Sequence, residues 1–127
     1  MDISDIRKKI YLLDKQRQKL LSYLLHPKDM LSGSLYSTYK KCGNKSCRCA
    51  RGELHGPFNY LSKKVEAKTV LAFVKKADEK QVLEQAGHYR NYIRAMAKLN
   101  RLDKKIYESI KKIKEAKTKD YERQEKV

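Results

Sequence analysis

The chain has 127 residues, of which 36% are charged, and 31 lysines and arginines against 15 acidic residues leave a formal net charge of +16. No apolar run is long enough to cross a bilayer, and the acidic start Met1–Asp5 is unlike a secretory signal. Composition therefore argues against a membrane protein and predicts one cytoplasmic domain spanning residues 1–127. The excess of positive charge indicates a polyanionic partner, most often nucleic acid.

Residues 1–27 are predicted to contain an amphipathic helix. Arg17 is the one charged residue inside its apolar stripe, and Pro27 ends the helix. The stripe has helical spacing and consists of Ile3, Ile6, Ile10, Leu13, Leu20, Leu21 and Leu24.

Residues 33–75 are predicted to form a metal-binding β unit. Segments rich in β-forming residues, 34–40, 58–62 and 69–74, favour three antiparallel strands, with a charged turn over 63–68. Because so small a sheet buries too little apolar surface to fold alone, we expect it to need both a metal ion and packing against helices.

The loop between the first two predicted strands holds all three cysteines. Four residues separate Cys42 from Cys47, one separates Cys47 from Cys49, and five separate Cys49 from His55. Three thiolates and one imidazole are a ligand set of Zn²⁺ in closed structural sites. These four residues therefore predict a structural zinc site, although their spacing differs from a pair of C-x-x-C motifs.

Other roles for the cysteines compete with zinc binding. Buried free cysteine prefers apolar neighbours, whereas Lys45, Arg48 and Arg51 surround these thiols. An odd number of cysteines argues against disulfides. A Cys–His nucleophile pair would lack an orienting group and leave two thiols unexplained. Since no close carboxylates are visible to hold the metal of a nuclease, we expect no catalytic activity.

The same region resembles a known family. The likeness is carried by G-S-L-Y-S-T-Y, which begins at Gly33, and by C-G-N-K-S-C-R-C-A-R-G-E-L-H-G-P-F-N-Y-L, which begins at Cys42. These stretches are similar to the C-x4-C-x-C-A-R-G-x-x-H-G-P-[FY] signature of an archaeal and bacterial domain of unknown function, often found in mobile-element contexts. The resemblance implies a small metal-binding β unit flanked by helices and no established activity. Relatives usually have aromatic residues after H-G-P, so Asn59 is a departure.

Residues 78–117 are predicted to form a C-terminal helical arm, followed by a frayed tail over 118–127. Gly87 is expected to interrupt the arm. An antiparallel register with the first helix would bring Arg17 close to Asp103, which predicts an ion pair between the helices. The apolar seam of the arm, which would also serve a homodimer, consists of Tyr92, Met96, Leu99, Leu102, Ile106, Ile110 and Ile113.

Positive charge concentrates in two places. A basic ridge on the C-terminal helix lies within about 80° of arc at 3.6 residues per turn and consists of Arg90, Arg94, Lys98, Arg101, Lys105 and Lys112. Only Glu108 interrupts it. A helix face that only contacts solvent usually carries both positive and negative charges, whereas a ridge of positive charge alone is favourable for binding a phosphate backbone. The second cluster, in the cysteine loop, consists of Lys40, Lys41, Lys45, Arg48 and Arg51.

Aromatic residues accompany the second cluster. Tyr36, Tyr39, Phe58 and Tyr60 lie on the predicted strands beside the cysteine loop. Such rings more often pack against a sheet, but aromatic rings beside cations are also what single-strand binders use to stack bases.

Together these features predict an α+β protein. It has an N-terminal helix, a small three-stranded antiparallel sheet with a zinc-binding loop, and a long C-terminal helix packed antiparallel on the first. The expected function is non-catalytic binding of nucleic acid, with DNA slightly favoured over RNA, in a regulatory or accessory role to a mobile element. The alternative is a coiled-coil interaction protein within a ribonucleoprotein or other assembly.

Overall fold

A computed structural model describes residues 2–41, 46 and 52–122. The elements follow the order α1 (Ile3–Leu25), β1 (Ser34–Lys40), β2 (His55–Val65), β3 (Lys68–Phe73), a single 3-10 turn (Lys76–Asp78) and α2 (Glu79–Lys117). The strands form one antiparallel sheet in the order β1-β2-β3. The predicted α+β class is therefore confirmed, with its N-terminal helix, three-stranded antiparallel sheet and long C-terminal helix.

The chain divides into two compact units. The helical unit comprises Met1–His26 and Arg94–Val127, and the sheet unit comprises Pro27–Ile93. Helix α2 therefore contributes its first turns to the sheet unit and its remainder to the helical unit. The prediction of a single domain over residues 1–127 stays a prediction. Within the described ranges, no helix is both long and apolar enough to cross a membrane.

The core of the helical unit lies along one stripe on each helix. Helix α1 buries Ile6, Leu13 and Leu24, all members of its predicted apolar stripe. Helix α2 buries Leu102 at the centre of its own stripe. The buried residues of α1 are 7 and 11 residues apart, close to two and three helical turns, so they lie on one face of the helix.

Two members of the predicted seam on α2 are not in the core. Met96 and Ile110 each leave 50% of their surface exposed, and the small residues Ala95 and Ser109 are buried instead. The alternating three- and four-residue spacing through Leu102 passes through positions 95 and 109. The prediction chose Met96 and Ile110 because they are more apolar than their neighbours. Small side chains are favoured at a contact between helices because they let the helices approach closely.

An ion pair joins the two helices of this unit. Arg17 Nε donates a hydrogen bond to Asp103 Oδ1 at 2.7 Å. The pair predicted from an antiparallel register is therefore confirmed. The two side chains are 36% and 47% exposed, so solvent screens their attraction.

We expect a double-mutant cycle of Arg17→Ala and Asp103→Ala to show a coupling free energy of about 0.5 kcal/mol, as for other exposed ion pairs. Urea unfolding of the wild type, both single variants and the double variant measures this coupling. Additive effects of the two substitutions would show that the pair does not contribute to stability.

Gly87 lies inside α2, which runs without interruption from Glu79 to Lys117. The predicted break at this glycine was therefore wrong. A single glycine costs only about 1 kcal/mol relative to alanine in a helix interior, and the flanking turns are sufficient to offset that cost. A Cβ atom added at Gly87 would meet nothing within 4 Å outside the local helix backbone.

We expect Gly87→Ala to stabilise the protein by about 1 kcal/mol, because alanine restricts the unfolded chain and finds open space here. Gly33→Ala is the matched control: φ at Gly33 is +122°, and its new Cβ would lie 2.7 Å from the Ser62 carbonyl oxygen. Thermal unfolding should show a higher Tm for the first variant and a lower Tm for the second. A loss of stability in Gly87→Ala would reveal a packing constraint at this position.

The hairpin between β2 and β3 is tighter than the sequence predicted. Strand β2 continues through Val65 and β3 begins at Lys68, so only Glu66 and Ala67 form the turn. The expected turn over residues 63–68 was too long because charged side chains are compatible with a strand whose face is in solvent. Glu66 and Ala67 have φ values of +50° and +64°.

We expect Glu66→Asn/Ala67→Gly to stabilise the hairpin by about 1 kcal/mol. Both positions have left-handed backbone conformations, which are unfavourable for residues other than glycine, asparagine and aspartate. Asn-Gly is the preferred pair for such two-residue turns. Comparison of the urea midpoints of the variant and the wild type checks this expectation. A lower midpoint would contradict it.

Candidate nucleic-acid interface

The cysteine loop is closed at its base by an antiparallel pair. Lys40, at the end of β1, lies opposite His55, at the start of β2, after a register shift between Thr38 and Lys40. The chain therefore leaves the sheet after Lys40 and re-enters it at His55, at the same end of the sheet. The predicted ligand His55 is half-buried at this position.

The other predicted zinc ligands, Cys42, Cys47 and Cys49, lie outside the described residues. Among residues 2–41, 46 and 52–122, no three His, Cys, Asp or Glu side chains are grouped so that they could hold a metal ion. Because those ranges contain no cysteine, the four-ligand site stays a prediction.

Two of the five predicted cations of the loop are described. Lys40 and Lys41 are exposed. Lys40 Nζ donates a hydrogen bond to Tyr60 Oη at 2.8 Å and lies 4.8 Å from the centroid of that ring. The remaining predicted cations, Lys45, Arg48 and Arg51, lie outside the described residues.

Three aromatic rings form a row across the sheet. Tyr36 lies opposite Tyr60 in the β1–β2 register, and Tyr60 lies opposite Phe73 in the β2–β3 register. The ring centroids of Tyr36 and Tyr60 are 6.4 Å apart, and those of Tyr60 and Phe73 are 5.6 Å apart. Tyr36 is 51% exposed and Phe73 is 58% exposed, whereas the central Tyr60 is half-buried. We call these three residues the aromatic row.

Phe73 was missed among the candidate binding residues. It lies far along the chain from the cysteine loop, and the expected long turn gave no register between β2 and β3. The two-residue turn after Val65 supplies that register, because counting back from it places Phe73 opposite Tyr60. Turn geometry was thus the signal that would have found this residue.

Asn59 links strand β1 to helix α2. The Ser37 hydroxyl donates a hydrogen bond to Asn59 Oδ1, and Asn59 Nδ2 donates to Glu79 Oε1 at 3.1 Å. The Asn59 carbonyl also accepts from the Val74 amide at 2.8 Å. Asn59 therefore connects β1 to the first residue of α2, which an aromatic ring at this position would not do.

The basic ridge is exposed along α2. Within the helical unit its members are Arg94, Lys98, Arg101, Lys105 and Lys112, and all five are exposed. They cover about 27 Å of helix at 1.5 Å per residue. Arg90, the remaining member, is also exposed and belongs to the sheet unit.

The ridge has no acidic partner in the part of the chain that the structure describes. The two ion pairs found there join Arg17 to Asp103 and Glu108 to Lys111, and neither contains a ridge residue. Glu108 Oε2 lies 3.9 Å from Lys111 Nζ. The acid that interrupts the ridge in sequence thus has a cation partner outside the ridge.

Comparison with known proteins finds one match, to a family model. No curated protein sequence and no solved structure matches the chain significantly. A family model described as a domain of unknown function matches residues 3–84. The match covers α1, the three strands, the cysteine loop and the start of α2, which is more than half of the chain. The chain therefore belongs to the DUF6788 family, a domain of unknown function.

Proposed function

We propose that this protein binds nucleic acid in a non-catalytic role, with a structural zinc ion holding its cysteine loop. The observation that carries the proposal is the basic ridge of α2. Five exposed cations share one helix face over about 27 Å, and none is paired with an acid in the described residues. A polyanion with regularly spaced charges is the partner that such a surface attracts most strongly.

The dimensions of the ridge suit a phosphate backbone. Phosphates along one strand of a duplex advance by about 3.4 Å per nucleotide, so about eight lie along a length equal to that of the ridge. Contacts of this kind fix position and contribute affinity without reading sequence. The ridge therefore supports binding that depends strongly on salt and weakly on base order.

A zinc ion would supply stability that the sheet unit lacks. Among its described residues, the buried apolar side chains are Val74 and Ala86, and every residue of β3 is exposed. Cys42, Cys47, Cys49 and His55 offer a donor set that zinc accepts, in a loop that returns to its starting point on the sheet. Metal binding would fold the loop and present its cations.

The choice between DNA and RNA rests on the resemblance of the cysteine loop. Its signature resembles that of a prokaryotic family found in mobile-element contexts, and this likeness favours DNA slightly and an accessory role to such an element.

A second candidate function is supported by the helical unit. Its exposed apolar side chains include Tyr11, Leu12, Met96, Tyr107 and Ile110. Apolar side chains in solvent on a two-helix unit favour a protein partner or a homodimer. The protein would then act within a ribonucleoprotein or another assembly.

Sedimentation of the purified protein distinguishes the two functions. Nucleic-acid binding predicts a faster-sedimenting complex when DNA or RNA is added, and its disappearance after nuclease treatment. A tight complex with one protein that is indifferent to nuclease would favour the assembly function instead.

A further inference from the structure

We propose that the aromatic row of the sheet unit, Tyr36, Tyr60 and Phe73, is a stacking platform for the bases of single-stranded nucleic acid. The inference rests on the proposed nucleic-acid binding and specifies the form of nucleic acid that this surface takes. It assigns a binding role to Phe73, which the sequence pattern did not single out.

The alignment of the rings is the first reason. The three side chains come from three adjacent strands in direct register, so they share one side of the sheet. The ring centroids are 6.4 and 5.6 Å apart, with interplanar angles of 45° and 67°, so the three rings are neighbours in one cluster. Scattered exposed rings are ordinary on proteins, whereas a contiguous exposed apolar patch marks a binding surface.

The exposure of the outer rings is the second reason. Tyr36 and Phe73 leave more than half of their surface in solvent. A ring that serves only to pack a sheet would be covered by another layer, as sheet faces of small domains usually are. The exposed part of these two side chains is available to a partner.

The charges around the row are the third reason. Lys40 contacts Tyr60 beside the β1 edge, and Lys75 and Lys76 follow β3 shortly after Phe73. All three lysines are exposed. Lys40 Nζ lies against the central ring, and Lys76 lines a cavity together with Phe73, so a strand whose bases lie on the outer rings would find cations for its phosphates beside the row.

A cavity beside the row adds room for a base. It has a volume of about 390 Å³ and is lined by Phe58, Asn59, Phe73, Lys76 and Glu79, among others. Its wall combines aromatic surface with amide, ammonium and carboxylate groups. Such a wall can both stack a base and form hydrogen bonds with its edge.

The chemistry of stacking selects single strands over duplexes. In a duplex the faces of each base are covered by its neighbours, whereas an unpaired base offers its π face to an aromatic side chain. The aromatic row would therefore discriminate between the two forms, while the basic ridge would attract both.

The test uses the full-length protein purified with its metal. Fluorescence anisotropy measures its affinity for labelled oligo(dT), oligo(U) and a mixed-sequence duplex, each about 12 units long, which is within the usual site size of single-strand binders. The platform variant is Tyr36→Leu/Phe73→Leu, which keeps apolar bulk on the sheet. The matched control is Tyr11→Leu/Tyr107→Leu, which removes two exposed rings of the helical unit.

We expect the platform variant to lose about tenfold affinity per ring for both single strands, so about a hundredfold in total. Its duplex affinity should change less than about twofold, because phosphate contacts carry that binding. The control variant should bind all three probes as the wild type does. Equal affinity of the platform variant and the wild type for single strands, or an equal loss on the duplex, would overturn the platform and leave the proposed function standing. Failure of the wild type to bind any probe at low salt would overturn both.

A second measurement does not depend on the folding of the leucine variants. The chain has nine tyrosines and no tryptophan, so its intrinsic fluorescence comes from tyrosine. Stacked bases should quench this emission on addition of unlabelled oligo(dT). Tyr36→Phe/Tyr60→Phe keeps both aromatic rings for stacking but removes the two tyrosine fluorophores of the row, so most of the quenching should disappear. Quenching of the same size in this variant would overturn the platform.

Discussion

Removal of the proposed zinc ion is expected to unfold the sheet unit. The reason is the small core of this unit, in which the buried apolar side chains among the described residues are Val74 and Ala86. Apparent binding free energies of structural zinc are about 10 kcal/mol or more at neutral pH, which is comparable to the entire stability of a small domain. Chelation should therefore abolish hydrogen-exchange protection of the amides in β1, β2 and β3.

Substitution of single ligands should reproduce the effect of chelation. We expect Cys47→Ser and His55→Ala to lose bound zinc and the protection of the strands, because a closed structural site needs all four ligands. His26→Ala is the matched control, since His26 is exposed at the end of α1 and bonds through Nδ1 to the Ser22 carbonyl. Retained strand protection in chelated, metal-free protein would contradict this account of the sheet unit.

Neutralisation of the basic ridge is expected to reduce affinity for any nucleic acid. Lys98→Gln/Arg101→Gln/Lys105→Gln removes three cations that face solvent on one side of α2. Each phosphate contact contributes about 0.9 to the slope of log affinity against log salt for duplex DNA, so the slope should become shallower by about 2.7. If the lines of the variant and the wild type converge at about 1 M salt, the variant binds about 500-fold more weakly than the wild type at about 0.1 M salt.

The control for this prediction removes equal charge from another surface. Lys8→Gln/Lys15→Gln/Lys19→Gln removes three exposed lysines of α1 and lowers the net charge by the same amount. A binding titration at several salt concentrations measures the slopes of both variants. We expect the control to keep the wild-type slope within about one unit. Equal losses in the two variants would show that net charge alone, and not the ridge, carries the binding.

Periodic sequence features predicted most of the architecture. The apolar stripe of α1 and the β-forming segments are dictated by the spacing of side chains that must face a core. Even the contact between Arg17 and Asp103 followed from this spacing, since a register between two helices places every later residue. These features depend either on neighbouring residues or on the regular spacing of apolar residues along one element.

The features that were not predicted depend on distances between elements and on the backbone conformation of one turn. Ala95 and Ser109 are buried in place of larger neighbours because contact distance, and not apolar character, decides which residues face a partner helix. Phe73 belongs to the aromatic row only through a two-residue turn whose residues, Glu66 and Ala67, are not typical of such turns. For the proposed site, the zinc ligands and the cations were therefore candidates from the sequence alone, but only two of the three rings were.

The central claim, that this chain binds nucleic acid through its cations, is tested most directly by a salt titration of the wild-type protein. The logarithm of the affinity for a labelled duplex should fall linearly with the logarithm of salt concentration, with a slope of about −4.5 or steeper if each of the five ridge cations of the helical unit neutralises one phosphate. Affinity that does not change with salt, or no binding to duplex, single-stranded DNA or RNA at low salt, would contradict the claim.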